Sequence, residues 1–303
     1  MKTTKETMMK MKNLGLVGIA FLGLAFTACS NDNEGDGGLG ETTRPLVIAT
    51  RQISYEGAGQ ELAGENSITD MKACVFEKGI MTKVFENLQP TADGYNLQVD
   101  SYDGTIYMVA NADGMLDLKQ MQTEGISEEE WKTTALGMNE GKVANVFTGM
   151  LTLDGQNQSA QTLTLKRGVA RFDLNVNVAG SASIERLTLK NVAQSGYLFS
   201  QSEGVKSPTD VTRKDMEVTF DTPLTASTPA VLYVYEQENN GMEVSIDAVI
   251  DGQHKVLTKT LEGNLKRNTI YTITVRKNDI DIVVKVGIDD WEPGTDTEIV
   301  PQL

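Results

Sequence analysis

The chain has 303 residues, 40% hydrophobic and 23% charged, a composition suited to one large or two ordinary folded domains rather than a disordered polymer. Its formal net charge of −15 argues against nucleic acid as a partner, because that role needs Lys and Arg concentrated on a phosphate-facing surface. A solvated acidic surface accounts for the charge.

In chain order, the first segment reads as an address. Lys2, Lys5, Lys10 and Lys12 form a basic start, and residues 14–26 are an apolar run too short to span a bilayer stably. The run ends in LAFTAC (24–29), small residues before a cysteine, which resembles a lipoprotein box cut before Cys29, with the Cys29 thiol then carrying lipid. An ordinary secretory signal that ends near a cysteine is the alternative. The signal is therefore expected at 1–28, followed over 29–44 by a Gly- and acid-rich tether with little to bury. Cys74 is then the only cysteine of the mature body, so no internal disulfide is expected. Its alternating surroundings suggest a small buried side chain rather than a nucleophile.

The first strand is expected at 45–55, entered through Pro45. A polar loop follows over 56–66. Segments 68–76 and 80–88 flank Glu77-Lys78-Gly79 and read as a tight hairpin, and segments 95–99 and 105–110 read as a second pair joined through Asp103-Gly104. The period then changes, and two short helices are expected at 115–121 and 127–136. The second opens on a capping box, Ser127 with Glu130, and places Glu128 and Glu129 in its first turn. Helix-dipole complementation explains that acidic cluster more simply than a cation site. Strands resume at 146–153, 161–165 and 169–178. The last alternates Val169, Arg171, Asp173, Asn175 and Asn177 against Ala170, Phe172, Leu174, Val176 and Val178, so one face is expected to be core.

A second β series continues with 184–192, 216–220, 230–235, 242–250 and 254–261, with Asp251-Gly252 as the turn between the last two. Two further runs occupy 269–275 and 280–288. After Trp291 a polar tail, 292–303, still alternates, with Thr295, Thr297 and Ile299 on one parity and Leu303 at its end. A body already closed at Trp291 has no need of another strand, which suggests that the tail serves a neighbouring copy. The expected fold is all-β with a small helical insertion, as sandwiches rather than βαβ units. Domains are expected at 45–165 and 166–303.

Catalytic chemistry finds little support. His254, the only histidine, lies beside a hairpin turn where exposure is the default, and neither a zinc-ligand cluster nor a phosphate- or dinucleotide-binding glycine pattern is present. No cofactor or metal is expected. Trp131 and Trp291 could stack on sugars, although a lone Trp in such patterns usually belongs to a core.

Several motifs in order resemble the fimbrillins, the type V pilins. These are the lipoprotein box, the acidic tether, ITDMKACVF (68–76), TIYMVANA (105–112) before short helices, LKRGVAR (165–171), LKRNTIYTI (265–273) and the run from Val286 to Trp291. The likeness covers nearly the whole chain. It implies two transthyretin-like Greek-key sandwiches and a structural subunit of a cell-surface fimbria that supports adhesion, with other copies or related pilins as partners. It also implies export as an outer-membrane lipoprotein and polymerisation by strand exchange. In polymerising members, the resemblance implies, an Arg-specific protease removes the first strand and a neighbour's strand fills the groove. In this sequence the removable strand would carry Leu46, Ile48 and Ile53, and the donor would be the tail with Thr295, Thr297, Ile299 and Leu303. The family's cut follows an arginine in the loop after the first strand, yet 56–66 holds neither Arg nor Lys. The candidates are then Arg51, inside the strand, and Arg44, which precedes Pro45. A subunit that stays uncut as a lipid-held anchor or accessory is one alternative; a monomeric surface lipoprotein that binds glycan or host protein is another.

Overall fold

The structure, a computed structural model, describes residues 43–57, 59–156 and 160–283. All of them lie in the compact unit Glu41–Leu303. Its first half contains β1 (Arg44–Gln52), β2 (Met71–Glu77), β3 (Ile80–Phe85), β4 (Pro90–Thr91), β5 (Gly94–Val99), β6 (Asp103–Ala110), α1 (Leu118–Glu124), α2 (Glu128–Lys132), β7 (Ala135–Gly137), β8 (Phe147–Asp154) and β9 (Ala160–Arg167). The second half contains β10 (Val169–Val176), β11 (Ala182–Ala193), β12 (Ser195–Tyr197), β13 (Arg213–Leu224), β14 (Thr228–Tyr235), β15 (Glu243–Ile250), β16 (Gln253–Thr260), β17 (Ile270–Val275) and β18 (Ile280–Val283).

The first-half strands hydrogen-bond in the order β3-β2-β6-β8-β9-β1-β5-β4. β8 and β9 share only the pairs Phe147↔Arg167 and Thr148↔Lys166, so the sheet folds there into two layers. Leu46, Ile48, Leu97, Val99, Leu163 and Leu165 on one layer meet Met71, Val75, Ile106 and Met108 on the other in a single buried cluster. The second half is a sandwich of two four-stranded sheets, β14-β10-β17-β18 and β13-β11-β15-β16, closed around Phe172, Leu174, Leu187, Val244 and Ile273.

The tight turns follow backbone chemistry. Lys78 and Gly79 have φ of 50° and 79°, and Asp251 and Gly252 have 49° and 75°, the left-handed pairs that suit the twist of a two-residue hairpin. The expected pairing of 95–99 with 105–110 does not occur: β5 lies along β1, and β6 lies between β2 and β8. The connection crosses between layers instead. Tyr102 is buried there and its hydroxyl donates to the Pro45 carbonyl at 2.7 Å.

The helices differ from expectation at their ends. α1 begins later than expected, capped by the Asp117 side chain accepting from the Gln120 N–H at 2.9 Å. α2 has its reciprocal Ser127–Glu130 box but stops at Lys132. The Thr133 hydroxyl folds back onto the Glu129 and Glu130 carbonyls, and residues 135–137 leave the helix to pair with β12. The helical insertion covers the outer face of β2 and β6. There Trp131 packs with Phe76, Tyr107 and Phe199 over the buried Cys74, which explains why these strands are buried on both faces.

Candidate functional site

β1 is a central strand. It runs antiparallel to β5, with Leu46 opposite Leu97 and Ile48 opposite Tyr95, and parallel to β9, with Ile48 opposite Gln161 and Gln52 opposite Leu165. Leu46 and Ile48 are 1% and 0% exposed, and full burial of each contributes roughly 1.5–3 kcal/mol. A neighbour is shaped to the strand: a Cβ on Gly94, where φ is 128°, would lie 2.2 Å from the Ile48 carbonyl oxygen. Only glycine fits so close to the β1 backbone.

Ile53 lies one residue past the end of β1 and is half-buried, its N–H donating to the Leu165 carbonyl at 3.2 Å. Arg44 is exposed at the first position of β1 with its guanidinium 5.6 Å from the Tyr102 ring centre. Arg51 is also exposed, but it lies within the ladder, opposite Thr164. Cys29, Thr295, Thr297, Ile299, Leu303 and Trp291 lie outside the described residues.

Beyond β1 the described residues 53–57 and 59–66 form a strap laid across both halves. Arg167 at the end of β9 donates to the Ile53 carbonyl at 2.9 Å, and Asn268 donates to the Ser54 carbonyl at 2.6 Å. The Glu56 N–H donates to the Asn268 carbonyl, and the Ile270 N–H donates back to the Glu56 carbonyl, both at 2.7 Å. The strap thus borrows two rungs from the start of β17. Closer contact needs a missing side chain, because a Cβ on Gly59 would lie 2.9 Å from Arg171 Nη2 and 2.7 Å from Ile270 Cδ1.

Two buried guanidinium groups organise this crossing. Arg171 makes a bidentate pair with Asp173, 2.8 Å to each oxygen, and also donates to the Gln60 carbonyl at 3.0 Å and to Glu65 Oε2 at 2.8 Å. Arg167 reaches Glu61 Oε1 at 3.0 Å, Asn268 Oδ1 at 2.9 Å and the Asn66 side chain. The Tyr55 ring centre lies 4.2 Å from the Arg167 guanidinium carbon and 5.1 Å from that of Arg171, within cation–π range of both. Glu65 accepts from the Leu62 N–H at 2.6 Å, from the Tyr233 and Tyr55 hydroxyls at 2.7 and 3.1 Å, and from Arg171. Burial pushes this carboxyl up, but the Leu62 N–H, Tyr233 and Arg171 together hold it below the usual glutamate range. The Tyr233 hydroxyl is pushed far up by burial and by its bond to Glu65.

The alternation in β10 sets Arg171 on the face opposite Phe172 and Leu174, and that face is covered at Arg171 too: Arg171 is 0% exposed, because the strap lies over it. Sequence reasoning missed Tyr55, Glu65, Arg167, Tyr233 and Asn268 as well. The readable signal was the pairing of arginines at the start of an apolar strand with a glutamate-bearing loop that has no basic residue of its own. Two other sites singled out by the sequence have ordinary surroundings. Glu128 accepts from the Tyr107 hydroxyl at 2.6 Å and pairs with Lys132, while His254 is exposed, 3.7 Å from Glu185. Among the described residues no cluster of three His, Cys, Asp or Glu is placed to hold a metal ion.

Comparison with known proteins gives a consistent picture. A model of the fimbrillin-A associated anchor proteins Mfa1 and Mfa2 matches residues 41–297. The tip fimbrial protein Mfa3 of Porphyromonas gingivalis, solved with a C-terminal truncation, is similar in structure at 10% identity and a TM-score of 0.55, over 80% of this chain and 100% of that one. A candidate cell adhesion protein of Bacteroides eggerthii is similar at 12% identity and a TM-score of 0.50, over 77% of this chain and 85% of that one. At such identities the structural likeness speaks to the fold. No curated protein matches the chain.

Proposed function

The chain belongs to the family of fimbrillin-A associated anchor proteins Mfa1 and Mfa2, and is thus a non-enzymatic fimbrial protein of the cell surface that associates with other fimbrial subunits; from that premise we propose that it keeps its own first strand and serves as a lipid-held subunit of the fimbria. The observation that carries this reading is the strap. A loop without Arg or Lys, fastened at Ile53, Ser54, Glu56, Gln60 and Glu65, offers an Arg-specific protease no basic residue to cut after. Cys29 would carry the lipid at the outer membrane. The tail 292–303, with Thr295, Thr297, Ile299 and Leu303, would be the strand offered to a neighbouring subunit. β-Augmentation would supply main-chain hydrogen bonds, and alternate side chains would fill pockets.

A stalk subunit is the second reading, and the exposure of Arg51 favours it. A cut there would remove Leu46 and Ile48 and leave a slot between β5 and β9 for a neighbour's strand. Mass spectrometry of surface-extracted protein separates the two. A mature amino terminus at a lipidated Cys29, with β1 intact, supports the retained strand; a terminus at Gln52 together with a ladder of oligomers in gentle detergent supports the stalk. Deletion of 292–303 should abolish association with other subunits under either reading, and unchanged association would remove the donor role of the tail.

A further inference from the structure

We infer that Glu65 is the pin of a latch that governs β1 from the other half of the molecule: by holding the strap against Arg171 and Tyr233 it keeps the carboxyl end of β1 seated between β5 and β9. The inference rests on the retained-strand reading above and adds the means of retention. Three observations converge on it. First, the strap is continuous with β1, so whatever fixes 53–56 fixes the end of the strand, and its fastenings come from Arg167, Asn268 and Ile270. Second, the strap turns back at 62–65, where a single carboxylate gathers the Leu62 N–H and three side chains, those of Tyr55, Tyr233 and Arg171. Third, Gly59 passes flush over the Arg171–Asp173 pair, so the strap has one seating and no room to slide.

Physical chemistry makes such a pin sensitive. A buried ion pair adds little compared with apolar packing, but loss of one partner leaves the other charge buried and uncompensated. Replacement of Glu65 by Gln would leave Arg171 with Asp173 and the Gln60 carbonyl, and would substitute a neutral amide for the carboxylate that both tyrosine hydroxyls and the Leu62 N–H share. The strap should then lift locally, and β1 would lose the fastening beyond Gln52. Regions of low local stability open this way without global unfolding.

Hydrogen exchange with mass spectrometry on the full chain at neutral pH tests the latch. Glu65→Gln should speed exchange in peptides covering 44–52 about tenfold or more and leave the β15–β16 hairpin unchanged, while Tyr233→Phe, which removes one donor, should give a smaller rise in the same peptides. Arg186→Ala, which breaks the distant surface pair with Asp247, should leave exchange in the 44–52 peptides unchanged. Unchanged exchange in β1 after Glu65→Gln would overturn the latch, and so would an equal rise in every strand. Should Glu65→Gln fail to fold, Tyr233→Phe decides the question alone. The strand-retention reading is judged separately, by the amino terminus found in surface extracts, so either can fail while the other stands.

Discussion

Arg171 Nη1 and Glu65 Oε2 are 2.8 Å apart across 106 residues of sequence, with side chains 1% and 7% exposed. Arg171 belongs to the first strand of the second sandwich, and Glu65 to the strap that leaves the first strand of the chain. Their contact makes the seating of β1 a property of both halves. It also explains an arginine on a strand otherwise committed to core, since the strap roofs that face and needs a cation beneath it.

The slot itself can be tested with a single charge. Ile48 is fully buried between β5 and β9, so Ile48→Asp would place a carboxylate where no partner is near, at a cost of about 3 kcal/mol or more. Urea denaturation should show a midpoint lowered by that free energy divided by the m-value. Equal midpoints for the variant and the parent would mean that β1 contributes little to the body.

The helical insertion should be as integral as the strands. Trp131 is fully buried, with ring centres 6.3 Å from Phe76, 6.3 Å from Tyr107 and 5.4 Å from Phe199. Trp131→Ala should cost about 3–5 kcal/mol, and Trp131→Phe distinctly less, because more of the cavity stays filled. Guanidinium melts of both variants check the order. A loss below 1 kcal/mol for the alanine would show that the insertion is only loosely docked.

Much of this architecture could be read from residue order. Period-two runs located most strands, Lys78-Gly79 and Asp251-Gly252 marked their hairpins, and Ser127 with Glu130 marked the start of α2. Partner choice was less legible. The 95–99 and 105–110 runs looked like a hairpin because they are neighbours with a Gly between them, yet Tyr102 is drawn under β1 and the chain changes layer. Nor does local pattern reveal the strap. Its residues are polar and aperiodic, as solvent loops are, and only the tertiary approach of Arg167, Arg171, Tyr233 and the start of β17 gives them fixed partners. A buried arginine and an exposed one occupy the same place in an alternation.

Acid should weaken the strap before it weakens the cores. Glu65 is held below its ordinary value of 4.5, with burial opposed by the Leu62 N–H, Tyr233 and Arg171. A carboxyl depressed in the folded state contributes stability that is fully present above the unfolded value and is lost as pH falls through the lower folded value. The stability difference between the parent and Glu65→Gln should therefore be constant near neutrality and shrink below about pH 4. Thermal melts of both proteins across that window give the curve. A difference that grows on acidification would mean that the carboxyl is not ionised in the folded protein.

The third buried arginine allows a cleaner test of pair against partner. Arg267 is 2% exposed. Its Nε meets Glu236 Oε1 at 3.0 Å, and its terminal nitrogens donate to the Leu198 and Tyr197 carbonyls at 2.8 Å each. Arg267→Met would strand Glu236, itself 6% exposed, with the Arg267 backbone N–H as its remaining contact at 3.2 Å, and should cost about 3–5 kcal/mol. Adding Glu236→Leu removes the stranded charge, so the double variant should recover part of that loss, even though the two carbonyls stay without their donor. A double-mutant cycle in urea reads the coupling directly. If the two losses simply add, the carboxylate is already satisfied by water, and the site is wetter than its burial indicates.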